Sequence, residues 1–136
     1  MYLYILFIIQ GVDAALIETD GESYFKQVLT YHLPYSVEFQ KKLRTLLDDW
    51  SEWLVLEREL TIYHVECVKK LIKETSKEHK KISIIGFHGQ TIYHNAEKHL
   101  TWQFGNPHLL AQLTGKGLFF IKSNRNFWAK LIFIRN

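Results

Sequence analysis

At Pro34 the hydrophobic pattern of this chain changes period, and that change constrains the fold more than any other feature. Before it, "MYLYILFIIQ" is a continuous apolar run and "GVDAALIETDG" alternates through Val12, Ala14 and Leu16. "YFKQVLTYHL" is a further strand-like stretch, beyond the turn residues Asp20 and Gly21. The three read as an antiparallel meander. Beyond Pro34, Ser36 is placed to cap a helix in which Phe39, Leu43, Leu46, Leu47 and Trp50 recur at helical spacing. A longer helix is expected over about Glu57 to Thr75. Leu60, Tyr63, Cys67 and Leu71 form its apolar stripe, Ile72 widens it, and Glu66, Lys69, Lys70 and Lys73 lie off it. "KKISIIGF" then reads as a buried strand, with "TIYH" and "HLTWQF" as two more. In "NPHLLAQLTG", Asn106 is a natural N-cap, Pro107 suits the first helical position and Gly115 ends the helix. The order predicts an α/β domain, a mixed sheet covered by helices.

Composition narrows the class. At 136 residues, 47% hydrophobic and 15% aromatic, the chain suits one globular domain. The lone Cys67 excludes an internal disulfide, fits a reducing, cytoplasmic setting and reads as a small core residue. The opening apolar run has no basic region before it and is too short to span a bilayer, so it reads as a buried strand and not as a signal or membrane segment. His88, His94, His99 and His108 stand at separations that match no usual metal-ligand pattern, and no metal is expected. The formal charge of +3 belongs to residues 117–136, which hold Lys122, Arg125, Lys130 and Arg135 and no acid. Taking those four away leaves −1 for the rest. A basic, aromatic tail of this kind is one reading of a small binding module. It rides on no recognisable element, which argues against a nucleic-acid or membrane partner.

The stretch "IIGFHGQTIYH" carries the strongest hint of a site. If Ile82 to Phe87 is a strand of an open α/β sheet, His88, Gly89, Gln90 and Thr91 stand at its carboxyl end, where ligands gather. Gly89 permits a positive φ, and the other three offer donors and acceptors without net charge. Such a set suits a neutral, hydroxyl-rich ligand such as a sugar. It equally suits a turn whose polar groups satisfy only their own backbone, and spacing leaves both readings open.

Four blocks, "GVDAALIETDG", "LTIYHVECVKKLI", "IIGFHGQTIYH" and "LTWQFGNPHLLAQLTG", resemble in order and spacing the N-terminal part of bacterial anhydro-N-acetylmuramic acid kinases. The resemblance covers about Gly11 to Gly115. It implies part of a ribonuclease H-like lobe of the sugar-kinase and actin-type ATPase superfamily. It also implies a family chemistry. With ATP and magnesium, water opens the anhydro bridge of a peptidoglycan-turnover sugar while the freed sugar oxygen takes the γ-phosphoryl group, a reaction governed by positioning and charge stabilisation. Carried onto this sequence, the resemblance makes His88, Gly89, Gln90 and Thr91 sugar-facing, and Gly11 and Asp13 remnants of the nucleotide end.

The chain departs from the family's pattern at three points. Where the family has a Gly-Thr-Ser-x-Asp phosphate loop, this chain reads "LFIIQ" before Gly11. β-Branched Ile8 and Ile9 resist the turned-in backbone that cradles phosphate, which argues against ATP and magnesium binding by these residues. After "LAQLTGK" the family's continuation gives way to "GLFFIKSNRN". The family's water-activating aspartate and second lobe would lie beyond residue 136, so no catalytic residue is assigned. The expected organisation is an atypical apolar start at 1–10, a partial first lobe at 11–116, and a divergent, disordered or out-of-frame tail at 117–136. The expected function is that of a kinase fragment, inactive alone and poorly soluble or partly disordered. A subunit that completes a split kinase with a complementary fragment is the alternative, beside the basic-tailed binding module.

Overall fold

A computed structural model describes residues 2–8, 10–46, 49, 51–75, 82–98, 100–122 and 130–134. The expected meander is present. β1 (Tyr2–Ile8) pairs antiparallel with β2 (Gly11–Thr19), and β2 with β3 (Phe25–Pro34). The turn between β2 and β3 is built by Asp20. Its Oδ1 accepts backbone N–H bonds from Glu22, Ser23 and Tyr24 at 2.9–3.0 Å, and these hold its carboxyl down at about 2. The expected burial of the opening run concerns side chains outside the described set.

The helices form for the expected reasons. α1 (Val37–Thr45) starts where Ser36 Oγ accepts from Phe39 N at 3.1 Å, and it buries Phe39 and Leu43. Leu47 and Trp50, expected on the same face, lie outside the described residues, as do Ile9, His99, Arg125 and Arg135. α2 (Trp53–Glu74) begins about one turn before the expected Glu57. Leu54 and Val55 are apolar but exposed at 76% and 59%, so the apolar period is blurred where the helix begins. Further along, Leu56, Leu60, Cys67, Val68 and Leu71 face inward, and so do the polar Thr61 and His64. Tyr35, Phe39 and Tyr63 join α1 to α2 through ring contacts of 4.9–5.1 Å. α3 (Pro107–Thr114) starts with Asn106 Oδ1 accepting from Leu109 N at 2.9 Å and ends at Gly115 in the left-handed region.

β4 (Ile84–Phe87) lies parallel to β1, β7 (Leu118–Lys122) lies parallel to β4 and β8 (Lys130–Ile134) pairs with β7, giving a mixed six-stranded sheet of order β3-β2-β1-β4-β7-β8. β5 (Gln90–Asn95) and β6 (Leu100–Phe104) stand apart as their own two-stranded sheet. α2 packs on β2, β3 and α3, and the core joins Val12, Leu16, Leu60, Ile85, Phe87, Phe104, Leu110 and Leu118.

Two strands stand within residues 117–136, where the sequence leads one to expect disorder. β7 occupies an interior place beside β4, with Leu118 fully buried, and β8 (Lys130–Ile134) closes that edge antiparallel to it. The apolar run "GLFFI" has no alternation, a pattern that suits a strand in the interior of a sheet.

Candidate functional site

Because β1, β4 and β7 run parallel, their carboxyl ends fall along one edge of the sheet. Directly after β4, His88 to Thr91 occupy that edge. Gly11, paired with Ile8 at the carboxyl end of β1, borders the same edge, and β1 also touches β5.

The turn is locked by its glycine. Gly89 has φ +73°, and a Cβ there would come within 2.6 Å of the Phe104 carbonyl oxygen. Only a residue without a side chain lets the turn lie this close on the end of β6. Across the same contact, a Cβ on Gly105 (φ +137°) would meet the Phe87 ring at 2.8 Å. Two glycines thus bring the turn against the Phe104 backbone and the β6–α3 junction against the Phe87 ring.

The polar residues of the turn differ in environment. Gln90 is only 5% exposed; its Nε2 donates to the Thr91 carbonyl at 3.3 Å, while its Oε1 is buried without a hydrogen-bond partner among the described residues. Thr91 is exposed and pairs with Gln103 across the β5–β6 ladder. His88 is half-buried, and burial depresses its imidazole pKa, opposed by hydrogen bonding to backbone at Gly89 and at His88 itself. At near-neutral pH this edge offers uncharged donors and acceptors.

Sequence reasoning missed the support beneath the turn. His64 on α2 is fully buried, its Nδ1 donates to the Leu60 carbonyl at 2.5 Å, and burial pushes its pKa down to about 3. Its ring meets Phe87 edge-on at 5.2 Å. One turn earlier, Thr61 Oγ1 accepts from the Asn106 backbone N–H at 3.0 Å and donates to the Glu57 carbonyl at 2.7 Å. The available signal was two polar residues lying on the apolar stripe of an amphipathic helix.

The residues expected at the nucleotide end are placed differently. Gly11 is pressed against β3, where a Cβ would meet the Leu33 carbonyl oxygen at 2.6 Å and Pro34 Cα at 2.9 Å. Asp13 stands on β2, across β1 from β4, with Oδ1 2.7 Å from His32 Nδ1. Ile8 and Gly11 pair directly across the β1–β2 connection, and the bulky Leu6, Phe7 and Ile8 stand where a phosphate loop has small and hydroxyl residues. These residues do not fit ATP as a phosphate loop would. Among the described residues no group of three or more His, Cys, Asp or Glu side chains is arranged to hold a metal. A surface groove of about 560 Å³ lies at the opposite end of β1 and β2, lined by Ile17, Thr19, Tyr24 and Phe25 of the β2–β3 hairpin. Ile17 pairs with Tyr2 at the amino end of β1, so this groove is remote from the carboxyl edge.

The sequence profile of the anhydro-N-acetylmuramic acid kinase family matches residues 7–123. This chain belongs to that family. The match reaches beyond Gly11–Gly115 at both ends and takes in β7. An anhydro-N-acetylmuramic acid kinase of Gluconobacter oxydans is 42% identical over 114 residues, covering 79% of this chain and 31% of the relative. Kinases of the same name from Pelagibacter ubique and Brucella canis are 32% and 36% identical over 118 and 115 residues, covering 79% and 77% of this chain and 31% of each relative. The chain thus spans about a third of the length of the curated anhydro-N-acetylmuramic acid kinases it matches, as expected of a fragment.

Proposed function

We propose that this chain is the sugar-facing part of the first lobe of an anhydro-N-acetylmuramic acid kinase, working in amino-sugar recycling from peptidoglycan in the cytoplasm. One observation carries the reading: the Gln90 side-chain carbonyl, buried without a hydrogen-bond partner among the described residues and held at the carboxyl edge of β4 by a glycine-locked turn. A buried acceptor left unmet costs about 1–3 kcal/mol, and a ligand hydroxyl or amide N–H that reaches it as the cover over Gln90 opens would recover it. His88, Gly89, Gln90 and Thr91 are the sugar-binding residues in this account. The order β3-β2-β1-β4-β7 supports assignment to a ribonuclease H-like lobe of the actin-type ATPase class.

ATP and magnesium supply the phosphoryl group in the family's reaction. Gly11 and Asp13 mark the nucleotide end, but "LFIIQ" stands where a phosphate loop would be, and no catalytic carboxylate is assigned among these residues. The 136 residues alone are therefore expected to be inactive. A second reading is a subunit that completes a split kinase in trans, with the same carboxyl edge offered to the complementary part as one wall of the sugar cleft.

The test is a phosphotransfer assay of the purified chain with anhydro-N-acetylmuramic acid, ATP and magnesium. It is run alone and with a polypeptide comprising the Gluconobacter oxydans kinase beyond the matched region. No product from the chain alone is expected. Product only in the mixture would establish the trans reading, and product from the chain alone would contradict the proposal.

A further inference from the structure

The geometry points to Thr61 and His64 as positioning residues for the His88–Thr91 turn, acting from the buried face of α2 on opposite ends of it. The inference deepens, and rests on, the reading that this turn faces the sugar.

The two residues are one helical turn apart, so their side chains leave α2 on the same side. His64 meets Phe87, the last residue of β4 and the one directly before His88. Its Nδ1–H bond to the Leu60 carbonyl fixes the ring against rotation and sets the tautomer. On the other side, the Thr61 hydroxyl is used twice, as donor to Glu57 and as acceptor from Asn106. Asn106 follows Gly105, which lies on the Phe87 ring, and Phe104, whose carbonyl lies against Gly89. A contiguous path therefore runs from the Thr61 oxygen through the Asn106 amide and the Phe104–Gly105 backbone to Gly89. Gln90 in turn pairs with Phe104 at the first step of the β5–β6 ladder.

An apolar residue would fill position 61 on this stripe as well as threonine does. Thr61 is wholly buried, and its hydroxyl meets a loop amide that no helix or strand bond satisfies. That bond fixes the height of the β6–α3 junction, and with it the seat of the turn. The position of the Gln90 side-chain carbonyl, and so its ability to accept from a ligand, depends on that seat.

The experiment compares the full chain with Thr61→Val, which keeps the shape and removes the acceptor, and Thr61→Ser, which restores it. Backbone amide shifts are read by NMR, and affinity is read by titration with anhydro-N-acetylmuramic acid. Thr61→Val is expected to displace the amide resonances of Gly89, Gln90 and Thr91 and to weaken sugar binding by about tenfold. Thr61→Ser is expected to restore both. Should Thr61→Val fail to fold, Thr61→Ala interrogates the same bond at smaller volume. Shift changes confined to α2 and Asn106–Leu109, with Gly89–Thr91 unmoved, would overturn the inference. If the unaltered chain does not bind the sugar at all, the sugar reading fails, and the Gly89–Thr91 resonances still decide the positioning role on their own.

Discussion

Gly89 concentrates the physical demands of the site in one residue. Its φ of +73° is a conformation that costs an L-residue about 1–2 kcal/mol, and its missing Cβ leaves room for a carbonyl that would otherwise sit 2.6 Å away. Gly115 has a similar φ of +65° with open space around it, so it isolates the conformational part. Gly89→Ala is expected to lower stability by about 2 kcal/mol or more, and Gly115→Ala by about 1 kcal/mol, read from urea midpoints. Equal losses would mean that the Phe104 contact is not a real constraint. Cys67 is ordinary by comparison. It is buried, with Sγ near the Val12 and Tyr31 carbonyls, and burial pushes its thiol up to about 12, as suits an inert core residue.

At the scale of the element, α2 ties stability to pH through His64. The unfolded chain binds a proton on this imidazole near 6.5, while the folded chain does so only near 3. Above pH 6.5 both forms are neutral and nothing is lost. As pH falls below 6.5 the unfolded state gains the proton first, and stability declines by up to about 1.4 kcal/mol per pH unit until the folded pKa is reached. His88, also depressed by burial, acts with the same sign. Unfolding midpoints measured from pH 7.5 to 4 should fall for the wild-type chain and flatten in His64→Phe; identical slopes would refute the buried neutral histidine. The elements themselves were legible wherever local chemistry agreed with packing. Ser36, the Asn106-Pro107 pair and Gly115 mark helix ends in the sequence and in the structure. The start of α2 was not legible, because Leu54 and Val55 are apolar residues facing outward. Nor was β7, whose interior place removes the alternation that identifies a strand. In the site, the turn could be read from its glycine and its place after an apolar run. The support from Thr61 and His64 could not, since a polar residue on an apolar stripe does not reveal what it will meet.

For the whole molecule, the arrangement is a mixed sheet with the polar His88–Thr91 turn at the carboxyl end of β4, in a chain that spans about a third of its relatives' length. Among the described residues, the carboxyl edge and the β2–β3 groove lie at opposite ends of the β1 and β2 strands. They also differ in chemistry: the edge holds the buried Gln90 acceptor, whereas the groove is lined by Ile17, Tyr24 and Phe25 beside turn residues. The most direct measurement is an NMR titration of the isotope-labelled chain with anhydro-N-acetylmuramic acid. The account predicts shift changes centred on His88, Gly89, Gln90 and Thr91, including the Gln90 side-chain amide. Changes centred on the β2–β3 hairpin, with those four residues unmoved, would contradict it.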